Sequence, residues 1–137
     1  MAAAKAFIDS DVNLYLLSKV AKKADAAEAV LRAGGLISVQ VLNEIANVAL
    51  RKIGMSWTET NQFIASIRSL CAVESLTVET HDRGRDVAER DGLSVYDAMI
   101  VAAALLAECT VLYSEDMQAG LVVDKQLRVV NPFKDLL

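Results

Sequence analysis

The sequence predicts an α/β domain with a short, mainly parallel central sheet flanked by helices, and three observations predict it. Short apolar runs alternate with longer stretches of helical periodicity. The helical stretches carry their own start and stop residues. No repeat and no Pro- or Gly-rich linker interrupts the 137 residues, so residues 1–137 read as a single domain.

Lys5–Asp9 reads as a buried strand, followed at once by a helical stretch around Val12–Leu17. Ala24–Arg32 is a second helix, ended by Gly34–Gly35. Leu36–Ser38 is the next strand, and Ser38 is placed to cap a helix running to about Lys52. Ser56 with Glu59 fits a capping box for a helix whose apolar stripe is Phe63, Ile64, Ile67 and Leu70. Ala72–Leu76 is a strand, and Glu79–Asp91 a polar helix ending near Gly92. Tyr96–Glu108 is apolar on nearly all sides, which predicts a central helix. Thr110–Tyr113 and Val129–Val130 supply the last strands.

The bulk numbers narrow the chemistry. Apolar residues make up 54% and aromatics only 5%, so the core is aliphatic and its surplus points to burial against a partner or second subunit. The longest apolar stretch, Ala98–Ala107, is too short to span a bilayer, and MAAAKAFIDS lacks an export signal; a cytoplasmic, non-membrane protein is expected. Cys71 and Cys109 lack metal-ligand spacing and read as buried free thiols. A net charge of −4 excludes general nucleic-acid affinity, which comes from neutralising phosphates. A nucleic-acid role would have to be local, and Arg51–Lys52 and Arg83–Arg85 are the clusters available, unless they are plain solvated charge. His81 is the only histidine, so a His-based zinc site within one chain is excluded. There is no Walker sequence, no GxGxxG and no nucleophile elbow.

What remains is carboxylate chemistry. Asp9 ends the first strand and Asp116 follows the Thr110–Tyr113 strand, so both fall beyond the carboxyl ends of strands, where open parallel sheets bind ligands. Glu44 flanks the apolar stripe of its helix, between Val41 and Val48, and Asp97 opens the most buried helix. Each has a plain structural alternative. Asp9 or Asp11 can cap the following helix, Asp97 can complete a box with Ser94, Glu44 can be a salt-bridged helix residue, and Asp116 can belong to a turn. Taken together they are harder to dismiss. Two carboxylates at about 4 Å repel by about 4 kcal/mol at an effective dielectric near 20, and a hard divalent cation relieves that repulsion.

These residues bring a family with them. FIDSDVNLYLLS, SVQVLNEIANVALRK, LSVYDAMIVAAALLAECTVLYSEDMQAG and the closing LRVVNPF, in this order, resemble the PIN-domain nucleases, most closely the VapC toxins of toxin–antitoxin pairs. The resemblance implies a PIN-like fold in which Asp9, Glu44, Asp97 and Asp116 are catalytic, with Asp9, Asp97 and Asp116 holding Mg²⁺ or Mn²⁺ and Ser114 in support. It implies a metal-bound water that cleaves RNA endonucleolytically, a homodimer, and an antitoxin of the VapB type that blocks the acidic site. The Ala24–Leu31 and Ser56–Leu70 helices are the expected walls of the antitoxin groove. Asp11 stands where the family often has Asn or Ser; it either adds a fifth carboxylate around the metal or caps the next helix. Two rivals stay open. FIDSDV also matches the strand-Asp-x-Asp of haloacid-dehalogenase-type phosphatases, although Asn13 departs from that pattern. A non-catalytic binding module of the same fold would use the acids to hold a partner's arginines.

Overall fold

The computed structural model of the protein describes residues 5–136; Met1–Ala4, on which the export expectation partly rests, lie outside the described residues. Six strands form one sheet: β1 (Ala6–Ile8), β2 (Gly35–Ser38), β3 (Cys71–Glu74), β4 (Val111–Tyr113), β5 (Val122–Val123) and β6 (Leu127–Val130). Their order is β3-β2-β1-β4-β6-β5, parallel throughout except for the antiparallel β5–β6 edge. The chain fills one side of β1 with β2 and β3, then crosses to the other side with β4. The β1/β4 boundary is therefore the topological switch point, where the crevice for a ligand opens.

The helices are α1 (Ser10–Leu14), continued by a 3₁₀ turn at Tyr15–Leu17, α2 (Ala21–Arg32), α3 (Val39–Val48), α4 (Trp57–Leu70), α5 (Val78–Asp91) and α6 (Val95–Leu106). Several of their caps are those the sequence announces. Ser38 accepts the Val41 N–H, Ser56 and Glu59 form the reciprocal box, and Gly92 ends α5 at φ 72°, which a residue with a Cβ resists. Of the two glycines after α2, Gly34 makes the stop, while Gly35 already belongs to β2.

Four details depart from the sequence reading. The α2 helix starts at Ala21, three residues early. After Val48, α3 widens into a π turn, Ala49–Ile53, closed by Gly54. Leu70 of the predicted α4 stripe is 41% exposed, while Ile67 is fully buried. The two-residue strand β5 was not expected.

Burial of Ala98 through Leu105 makes α6 the central helix, packed against α3, α5 and β2. Its approach to α5 is close at Gly84, where an added Cβ would sit 2.8 Å from Met99 Sδ. Phe7, Ile8, Ile37, Val41, Ile45 and Leu112 complete the core beneath the crevice, each fully buried. Cys71 and Cys109 are buried and free. Among the described residues no helix is long and apolar enough to cross a membrane.

Candidate active site

The register of β1 and β4 builds the centre of the site. Ile8 pairs with Tyr113, so Asp9 and Ser114, the next residue of each strand, emerge side by side. The Asp9 N–H donates to Tyr113 O at 3.0 Å, and Ser114 Oγ donates to Asp9 Oδ2 at 2.8 Å. Asp9 is also the N-cap of α1, its Oδ1 accepting the Ser10 N–H at 2.7 Å. Buried Asn13 ties the strand end down by donating from Nδ2 to Asp9 O at 2.9 Å. Ser10 Oγ donates to Glu44 Oε1 at 2.7 Å, which joins α1 to α3, and Gln40 holds the other Glu44 oxygen at 3.0 Å.

Asp11 does not cap α1. Its Oδ2 accepts the backbone N–H groups of Glu115 and Asp116, at 3.0 and 2.9 Å, and so fixes the loop after β4 that carries Asp116. Its Oδ1 is buried without a hydrogen-bond partner among the described residues. The loop is gripped a second time through its neighbour. The Tyr15 hydroxyl donates to Glu115, and Lys23 lies 3.5 Å from the same carboxylate and over the Tyr15 ring. Ser114 Oγ accepts the Met117 N–H at 3.2 Å and closes the turn. At the opposite wall, Ser94 caps α6 by accepting the Asp97 N–H at 3.1 Å.

The electrostatics connect five carboxylates into one patch. Asp9, 4% exposed, has its pKa raised to about 7, first by burial and then by the charge of Asp11, with Glu44 adding to it against the Ser114 and Ser10 hydrogen bonds. Asp11 is raised to about 6, again by burial first; the charge of Asp116 adds to this and the two loop N–H groups oppose it. Asp97 is raised by burial and by the charges of Glu44 and Asp116. Each acid thus feels another across the switch point, whatever its distance in sequence.

A cavity of about 340 Å³ opens on three of these acids, Asp11, Glu44 and Asp116, and is lined also by Ser10, Asn47 and Lys52, while Asp9 and Asp97 do not line it. Lys52, carried on the π turn, is the one predicted basic contact that lines it. Arg51 is exposed in the same turn. Arg83 pairs with Asp124 of the β5–β6 turn at 2.7 Å and Arg85 with Asp82 on α5 at 3.1 Å, so both are engaged away from the five acids. A second groove, about 400 Å³, adjoins the first and is lined by Leu14, Tyr15, Leu17 and Ile53 beside Asp11, Glu115 and Asp116. Its walls are the 3₁₀ and π turns. Of the expected antitoxin walls, α2 and α4 set Ala27, Leu31 and Ile67 in the core, while Trp57 and Leu70 of α4 are exposed.

The donor set is all carboxylate and hydroxyl oxygen, which suits a hard divalent cation, and the buried unpartnered oxygen of Asp11 and the mutual repulsion fit one as well. As they stand, no three acidic, histidine or cysteine side chains among the described residues close around a single point. The reason is that Asp9 and Glu44 direct their oxygens to Ser10, Ser114 and Gln40. Sequence reading missed Ser10, Asn13, Gln40 and the Tyr15–Lys23–Glu115 clamp. Only Ser10 carried a signal, as a hydroxyl directly beside Asp9.

Comparison with known structures returns the same architecture. A toxin–antitoxin complex from Klebsiella pneumoniae contains a chain 18% identical at TM-score 0.71, with 93% of this chain and 98% of that chain covered. Mycobacterium tuberculosis VapC20, a sarcin–ricin-loop-cleaving toxin, is 18% identical at TM-score 0.67, covering 82% and 90%. DNA-bound VapBC from Salmonella typhimurium is 14% identical at TM-score 0.71, covering 95% and 99%. At these identities the likeness is one of fold. Comparison with curated protein sequences gave no significant match. The PIN-domain sequence profile matches residues 6–120, from the start of β1 to just beyond the Asp116 loop, which is most of the chain and agrees with the mainly parallel sheet: the chain belongs to the PIN-domain family.

Proposed function

We propose that the chain is a metal-dependent endoribonuclease that acts as the toxin of a type II toxin–antitoxin pair. The observation that carries this is the patch of Asp9, Asp11, Glu44, Asp97 and Asp116, mutually repelling at the β1/β4 switch point. Asp9, Asp97 and Asp116 would hold Mg²⁺ or Mn²⁺, with Glu44 as the fourth catalytic acid. When bound, such an ion supplies a water of lowered pKa and polarises the phosphoryl oxygens. Ser114 and the Ser10 N–H orient the Asp9 carboxylate, and Ser10 Oγ and Gln40 orient that of Glu44. Asp11 sets the height of Asp116 by holding its N–H. Lys52 at the rim offers a cation to a backbone phosphate, which suits an acidic protein whose RNA contact must be local.

The groove of Leu14, Leu17 and Ile53 beside three acids fits an antitoxin segment of the VapB type, with apolar side chains against the wall and a basic one in the site. Exposed Trp57 and Val78 provide apolar surface for a homodimer, and the cytoplasm is the proposed compartment. Family membership leaves no role for the haloacid-dehalogenase scheme. A non-catalytic module of the same fold would use these acids to hold a partner's arginines. Induced expression of the chain alone and of Asp97→Asn separates the two. Growth arrest by the parent and none by the variant supports the toxin nuclease, whereas equal arrest supports binding without chemistry.

A further inference from the structure

A third cavity, of about 320 Å³, shares Glu44 and Asn47 with the acidic one and is otherwise lined by Gln40, Asn43 and Tyr96. Its chemistry differs from its neighbour's. No lining residue is basic, so it has nothing to hold a phosphate. Three of the five are carboxamides, on one face of α3 at helical spacing, and Tyr96 faces them from α6, 68% exposed and one residue before Asp97. Gln40 spends its N–H on Glu44 and keeps its carbonyl oxygen, while Asn43, Asn47 and the Tyr96 hydroxyl have no hydrogen-bond partner among the described residues.

We propose that Tyr96 and the carboxamides of Gln40, Asn43 and Asn47 form a subsite for one unpaired nucleobase beside the phosphate to be cut. A neutral, flat, polar ligand is what these groups fit. An exposed aromatic ring stacks on any base face, and carboxamides present a donor and an acceptor that match the paired groups on a base edge. Sharing Glu44 with the acidic cavity sets the base within one nucleotide of the carboxylates. Selectivity then comes from this pocket, and anchoring of the backbone from Lys52.

The inference rests on the nuclease reading, so its test has an arm free of catalysis. Binding of a labelled single-stranded oligoribonucleotide to the whole protein in EDTA is followed by fluorescence anisotropy. Tyr96→Ala is expected to weaken binding about tenfold, in line with the loss of one stacked base, and Tyr96→Phe to restore it. The second arm uses oligonucleotides that differ only in the base next to the cleaved bond. The parent is expected to discriminate among them, Asn43→Ala and Asn47→Ala to flatten that preference, and Tyr96→Ala to raise KM with kcat retained. Unchanged binding and unchanged base preference in all variants would overturn the subsite. So would a uniform fall in rate for every oligonucleotide with loss of the dimer in light scattering, which would assign Tyr96 to a subunit contact. Base-dependent binding with no cleavage by the parent would instead count against the nuclease and leave the subsite standing.

Discussion

Replacing Asp9 by Asn should stabilise the metal-free protein, and more so as the pH rises. In the folded chain Asp9 holds its proton to about pH 7, against an ordinary value of 3.8, because it is buried and faces Asp11 and Glu44. A carboxyl with a raised folded pKa gives its full contribution to stability below the unfolded pKa and loses it as pH climbs to the folded one. The interval from 3.8 to about 7 corresponds to about 4 kcal/mol. Asn keeps Oδ1 as the acceptor for the Ser10 N–H, turns Nδ2 toward Ser114 Oγ, which can accept it, and carries no charge, so it escapes the penalty. Urea unfolding in EDTA between pH 4.5 and 7.5 measures it. The midpoint of Asp9→Asn should move above the parent's by up to about 2 M at pH 7.5, taking a slope of about 2 kcal/mol/M, and by only about 0.5 M at pH 4.5. Added Mg²⁺ should recover the parent and do little for the variant. A midpoint difference that is flat across this range would refute the electrostatic account of the patch.

Other substitutions separate the parts. Ser114→Ala removes a donor to Asp9 and the acceptor for the Met117 N–H, and should cost about 1–3 kcal/mol in thermal unfolding together with a weaker calorimetric Mg²⁺ affinity. Asp11→Ala should lower kcat for RNA cleavage by tenfold or more by freeing the Asp116 loop, while Asp11→Asn, which keeps an acceptor, should retain most of it; equal losses would make the Asp11 charge itself essential. Lys52→Ala should raise KM and lower the salt dependence of RNA binding by about one phosphate contact, whereas Arg85→Ala, already paired on α5, should leave both unchanged.

Much of the fold is legible because its signals are local. Ser38, Ser56 and Gly92 mark helix ends by hydrogen-bonding capacity or backbone freedom within a turn, and the Ala98–Ala107 run marks the central helix by having no polar face. The acids were legible as candidates because each follows or interrupts an apolar element. Their relations were not. Asp11 meets Glu115 and Asp116 across more than 100 residues, and only the strand order decides which carboxylate of Asp-x-Asp caps α1 and which turns to the neighbouring loop. Ser10 reaches Glu44 for the same reason. The π turn after Val48 has no breaker before Gly54, and β5 exists only through a tight hairpin in which Asp124 and Lys125 take positive φ. Which helices wall a partner's groove is not legible in this way, because an apolar helical stripe says that a face is buried and not against what.

The most direct measurement is cleavage of total RNA by the purified protein with Mg²⁺ or Mn²⁺, with EDTA, and beside Asp97→Asn. Discrete fragments that require the metal and vanish in the variant are the predicted result. Intact RNA with folded, metal-saturated parent protein, or fragments that persist in EDTA or with Asp97→Asn, would contradict it.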